Sequence, residues 1–196
     1  MDVRIVIVDE NHIRAQIIED GLREAGHCEV LIIHEMASVM RQLVEADPDV
    51  VFIDLENPNR DMLEYMFQVS RAIHRPVAMF VDRTDTASIE AAIEAGVSAY
   101  VVDGLKKERV KSILETAIVR HNAFERMRAE LATVKGELAE RKVIAQAKTL
   151  LMRSRGLSEP DAYALLRKTA MNQSRTIAQV AESLVTAAGL LGKGEA

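Results

Sequence analysis

Five short apolar runs rich in β-branched residues, each followed by an amphipathic stretch, fill the first 103 residues of the sequence and leave little choice of fold. They read as strands over Val3–Val8, Glu29–Ile33, Val50–Asp54, Pro76–Val81 and Ala99–Val102. Most lack the apolar–polar alternation of a half-exposed strand, because a parallel strand is covered on both faces. Helices are predicted between them near 11–25, 36–46, 60–74 and 85–95. Ala25-Gly26, Asp47-Pro48-Asp49, Arg75-Pro76 and Ala95-Gly96 supply the breaks. This rhythm predicts a flavodoxin-like, doubly wound α/β domain on a five-stranded parallel sheet.

From about Leu105 the pattern becomes one helical run without proline. Val110, Ile113, Ala117, Phe124, Met127, Leu131, Val134 and Leu138 recur at alternating three- and four-residue intervals, with Arg120 the one polar break. That is a coiled-coil seam. A homodimer through this segment is the natural reading, and an intramolecular helical hairpin is the alternative. Three short helical segments are predicted beyond it, near 139–155, 158–171 and 174–189, punctuated by Gly156 and by an N-cap at Ser158-Glu159-Pro160-Asp161. Residues 189–196 read as a frayed end. The expected division is therefore a domain over 1–120, a coiled-coil helix over 105–140 continuous with its last helix, and a three-helix domain over 139–189.

Charge separates these parts. Residues 141–175 hold eight basic side chains against Glu159 and Asp161, a surplus of six in a chain of formal net charge −5, so the remainder carries −11. A basic module beside an acidic one points to a polyanion partner for the former. With 4% aromatic residues and no tryptophan, recognition by base-stacking platforms is disfavoured, and charge and shape are left to do it. The single cysteine, Cys28, forms no internal disulfide and belongs to no zinc-binding spacing. No signal peptide or membrane span is visible, so a soluble cytoplasmic protein without membrane contact is expected. No nucleophile–base pair, glycine-rich phosphate loop or catalytic histidine setting stands out among His12, His27, His34, His74 and His121, and no enzyme is expected.

Function in open parallel sheets sits at the carboxyl ends of the strands. There the sequence places Asp9 and Glu10 after the first strand and Asp54 at the end of the third. Clustered carboxylates suit Mg²⁺, a hard cation that takes oxygen ligands, and a carboxylate beside such an ion can attack a phosphoryl group. The motifs VDE and FIDLE together resemble those of response-regulator receiver domains over roughly residues 1–120. The resemblance implies a Mg²⁺ site at Asp9, Glu10 and Asp54, with Asp54 the candidate phosphoacceptor. Two positions depart from the family pattern. Val81 stands where a receiver has a hydroxyl residue, and Asp103 stands where it has a lysine. At 4 Å and an effective dielectric of 20, exchanging lysine for aspartate turns an attraction of about 4 kcal/mol into a comparable repulsion. Lys106 and Lys107 are the cations near enough in sequence to replace the lysine, and Thr84 is the nearest hydroxyl. Asp54 is therefore expected to be a poor phosphoacceptor, in a receiver switched mainly by a protein partner.

The C-terminal helices carry Ala147-Lys148, Leu151-Met152, Ala162-Tyr163, Leu166-Arg167, Ala170-Met171 and Ile177…Val180-Ala181. These resemble the ANTAR domain, a transcription antitermination module that binds paired hairpins in leader transcripts. Leu150, Leu151, Leu165, Leu166, Ile177 and Val180 read as core, and Met152 and Met171 as packing residues. Lys148, Arg167, Lys168 and Arg175 are left to meet RNA phosphates. Tyr163 either stacks on a loop base or packs between helices. The segments FIDLENPNRDMLE, PVAMFVDRTD and AGVSAYVVDGL further resemble the NasT type of nitrate-assimilation antiterminator. That resemblance implies sequestration by a NasS-like nitrate-sensing partner protein. A protein-interaction adaptor and a DNA-binding activator are the competing readings.

Overall fold

The computed structural model describes residues 3–103 and 105–191. Five parallel strands, β1 (Ile5–Val8), β2 (Val30–Ile33), β3 (Val50–Leu55), β4 (Val77–Val81) and β5 (Ala99–Val102), form one sheet in the order β2-β1-β3-β4-β5. The expected doubly wound sheet is thus present. Its point of reversal lies between β1 and β3, which pair from Ile5↔Val50 to Val8↔Ile53. All residues of β1, β3 and β4 are buried, as parallel strands covered on both faces must be.

Helices α1 (His12–Glu24), α2 (Val39–Ala46), α3 (Arg60–Ile73) and α4 (Thr86–Glu94) lie between the strands, and α5 (Lys107–Arg155) follows β5. The stretch predicted to be helical from residue 36 opens as a 3₁₀ turn, Met36–Ser38, before α2. Two cores flank the sheet. On one face Val6, Val8, Ile53 and Met79 pack with Val39 and Leu43 of α2 and Met66 and Val69 of α3. On the other, Ile5, Ile7, Phe52 and Phe80 pack with Ile18 and Leu22 of α1 and Val110, Leu114 and Ala117 of α5. Gly21 brings α1 onto α5: a methyl group there would lie 2.9 Å from the Lys107 carbonyl oxygen and from Val110 Cβ.

The predicted seam on α5 divides in two. Val110, Ile113 and Ala117 are buried in the core beside the sheet, whereas Phe124, Met127, Leu131, Val134 and Leu138 are exposed. Because α5 runs unbroken for 49 residues, the segment does not fold back on itself as a hairpin. No break occurs near residue 139 either. The helix expected to begin there is the end of α5, since Gly136 alone costs only about 1 kcal/mol in a helix interior.

The chain comprises two compact units, Met1–Arg126 and Met127–Ala196. In the second, Gly156 ends α5 at φ +64°, and Ser158 caps α6 (Glu159–Asn172) by accepting from the Asp161 amide. Helix α7 (Ile177–Leu191) begins slightly later than predicted and continues through residues 189–191 of the expected frayed end, whose residues 192–196 lie outside the described residues. Ala147 and Leu151 of α5, Ala162, Leu166 and Ala170 of α6, and Val180 and Ala181 of α7 make the core. Leu165 and Ile177 pack against it half-buried. The two methionines differ from expectation: Met152 and Met171 are 39% and 71% exposed. Their helical faces are outside the stripe that the small alanines bring together.

Candidate functional site

Asp9 follows β1 and Asp54 lies within the last turn of pleat on β3, so the fold brings them together at the β1/β3 reversal, in an open cleft of about 760 Å³. Asp9 is 3% exposed and Asp54 1%. Glu10, between β1 and α1, is exposed at the rim. One oxygen of Asp9 accepts from the Asn11 amide at 2.8 Å, and the other is buried without a partner. Burial, reinforced by the charge of Asp54, pushes the Asp9 carboxyl up to about 7.

The cation paired with Asp54 was not among the residues expected. Arg14 donates from Nε to Asp54 Oδ2 at 2.7 Å and from Nη2 to Asp54 Oδ1 at 2.8 Å, and its third nitrogen donates to Asp82 Oδ1 at 3.0 Å. This fork on a carboxylate is the strongest form of side-chain ion pair. Hydrogen bonding to Asp54 holds the guanidinium still further above its ordinary range. Its position follows from the start of α1. Asn11 caps the helix by accepting from the Ile13 and Arg14 amides, which sets Arg14 at the third helical position, where a side chain reaches back over the cap. The sequence did contain a signal. The positive end of the helix dipole disfavours a cation in the first turn, and α1 has no acidic residue there to compensate.

Of the substitutes expected elsewhere, Lys106 is exposed and the others are otherwise engaged. Lys107 pairs with Glu24 at 2.6 Å, and the Thr84 hydroxyl lies 3.1 Å from that of Tyr100. Val81 is buried in register between Leu55 and Val102. Asp103, at the end of β5, is exposed in the left-handed conformation at φ +45°. The cation is thus supplied from α1 rather than β5. Asp82, one residue beyond Val81, adds a carboxylate in place of the hydroxyl. Beside the cleft, His34 Nδ1 donates to the Asp9 carbonyl at 2.6 Å, and its ring centroid lies 3.7 Å from that of His12.

On the C-terminal unit, Arg167, Lys168 and Tyr163 are exposed on α6. Tyr163 is 43% exposed. Lys148 is half-buried and bound to Glu159 at 2.5 Å. Arg175 precedes α7 and folds onto its first turns, donating to the Gln179 carbonyl and to Ser183 Oγ at 2.8 Å each. Of the four expected cations, two project freely from one helix and two are tied into the module.

A doubly wound domain with an acidic pocket at its strand reversal, continued by a basic helical module, defines a signalling protein with a separate output domain. Residues 5–115 match the response regulator receiver domain, and the chain belongs to that family; residues 132–185 match the ANTAR domain. ANTAR domains are RNA-binding antitermination modules, so the chain is a response regulator that pairs a receiver with such a module. It is 26% identical to the transcriptional regulatory protein PdtaR of Mycobacterium tuberculosis over 95% of this chain and 91% of that one. A nitrate regulatory protein of Klebsiella oxytoca is 37% identical over 75 residues, 37% of this chain and 19% of that one. A CheY-like receiver from Methanospirillum hungatei superposes with a TM-score of 0.54 at 14% identity, covering 63% of this chain and 98% of the other, which shows the fold.

Receiver domains generally bind Mg²⁺ at the phosphorylation site. Here both oxygens of Asp54 are already held by Arg14, while the unpartnered oxygen of Asp9 is left beside them. The residues present do not fit the ion with Arg14 where it is. No described helix is long and apolar enough to cross a membrane.

Proposed function

We propose that this protein is a cytoplasmic transcription antiterminator of the NasT type, whose C-terminal module binds a two-hairpin leader RNA and whose receiver is controlled by a protein partner. The ANTAR match over a folded three-helix unit that presents Arg167 and Lys168 to solvent carries this reading. Lys148, Arg175 and Tyr163 complete the RNA-facing set. A phosphate that approaches α6 meets two unburdened cations, with Tyr163 one helical turn before Arg167 and available to stack on an unpaired base.

Dimerisation through α5 is part of the proposal. Phe124, Met127, Leu131, Val134 and Leu138 keep coiled-coil spacing and are all exposed, an arrangement that a second copy would cover. Two modules on one dimer would engage two hairpins at once, so bivalency contributes much of the affinity. Assignment to nitrate or nitrite assimilation, with a NasS-like partner that sequesters the regulator, is supported by the partial likeness to the Klebsiella protein and by a pocket in which Asp54 is not free to accept a phosphoryl group.

The test is binding of the full chain to a two-hairpin leader RNA, a single-hairpin RNA and a duplex DNA across a salt series. Tight, salt-dependent preference for the two-hairpin RNA is expected. Equal weak binding to all three would favour a protein-interaction adaptor, and duplex preference a DNA-binding activator.

A further inference from the structure

We propose that the Arg14 guanidinium is a built-in cation standing where receivers hold a divalent ion, so that the pocket masks a latent Mg²⁺ site at Asp9 and Asp54. Two observations converge. Arg14 takes both Asp54 oxygens and also Asp82, at 2.7–3.0 Å. One Asp9 oxygen, in a residue 3% exposed and lining the same cleft, has no partner.

The masking follows from charge and geometry. A Mg²⁺ ion sits about 2.1 Å from its oxygen ligands and tolerates little distortion of its octahedron. On Asp54 it would lie against a guanidinium bonded to the same two oxygens, and like charges at such separations repel by several kcal/mol. A tethered side chain also holds its place at every Mg²⁺ concentration, whereas an ion must be recruited from solution. Arg14 thereby neutralises Asp54 but brings one charge instead of two. Chelators and Mg²⁺ levels therefore leave the pocket unchanged, whether or not the C-terminal module binds RNA.

Thermal denaturation of the full chain, with chelator or with millimolar Mg²⁺, and Mn²⁺ titration by electron paramagnetic resonance with Mg²⁺ as competitor, test this in wild type, Arg14→Ala and the double variant Arg14→Ala/Asp54→Asn. The wild type is expected to show no metal-dependent shift in Tm and no saturable Mn²⁺ signal. Arg14→Ala is expected to gain a Mn²⁺ site displaced by Mg²⁺ and a Tm that rises by several degrees with Mg²⁺, since an ion that binds only the folded state stabilises it. The added Asp54→Asn change abolishes both. Should Arg14→Ala not fold, Arg14→Gln removes the charge while keeping one hydrogen bond to Asp54. Saturable, Mg²⁺-competed Mn²⁺ binding in the wild type, or a folded Arg14 variant that binds no ion, overturns the proposal.

Discussion

The two units of this chain handle charge in opposite ways. In the receiver, Arg14, Asp54 and Asp82 are drawn together and satisfied by one another. In the C-terminal unit, Arg167 and Lys168 stand on the solvent side of α6 with a core of alanines and leucines behind them. The same residue types do different things because of where their neighbours lie. A cation held at 2.7 Å by a buried carboxylate is part of the fold, and its removal leaves that carboxylate buried and unpaired. A cation in water is available to a ligand and contributes little to stability.

Four measurements sharpen or break this contrast. The largest effect is expected from Arg14→Ala, which strands the fully buried Asp54 carboxylate and is predicted to lower receiver stability by about 3 kcal/mol in denaturant unfolding, without changing RNA affinity. Replacing Arg167 and Lys168 together by alanine should do the reverse: RNA binding weakens by roughly tenfold or more and its salt dependence flattens by about two phosphate contacts, while Tm stays constant. A smaller effect concerns Asp9, which the folded protein keeps protonated up to about 7 although the unfolded chain loses that proton near 3.8. Stability contributed by the proton is complete below the lower value and is lost as pH rises through the upper one. Asp9→Asn should flatten this decline and raise Tm by several degrees in mildly alkaline buffer; a variant with the wild-type profile would mean that another group sets the slope. The smallest effect is expected from Lys148→Ala, whose pair with the largely exposed Glu159 contributes little to stability, and which should weaken RNA binding less than Arg167→Ala alone.

The sheet was legible because its three buried central strands leave uninterrupted apolar runs. Asp9 and Asp54 were legible for a related reason: strand ends fix their positions. Arg14 was not, because its role depends on how far a long side chain reaches from a helix into a site built by strands. Reading along the chain sought the missing cation near Asp103, on the element where a receiver carries it, and found Lys106 and Lys107, of which the structure commits Lys107 to Glu24. The apolar seam was visible in full, but its spacing could not show that Val110, Ile113 and Ala117 are consumed by the receiver's own core while the residues from Phe124 onward are left outside. One periodicity serves two different surfaces. The basic set was read as equivalent cations. Packing separates them, since Lys148 and Arg175 lie near helix ends where Glu159, Gln179 and Ser183 are within reach.

The contact between Lys148 and Glu159 changes what an RNA titration would count. A free lysine that meets a phosphate gives up mobile ions from the nucleic acid's atmosphere, and the release registers as a steep dependence on salt. Lys148 already carries an anion of its own, fixed to the chain. When a phosphate takes its place, one tethered carboxylate is exchanged for another negative group, and that carboxylate remains close by to repel the newcomer. The salt dependence would then report fewer contacts than the complex contains, and Glu159→Gln would steepen it without adding a single cation.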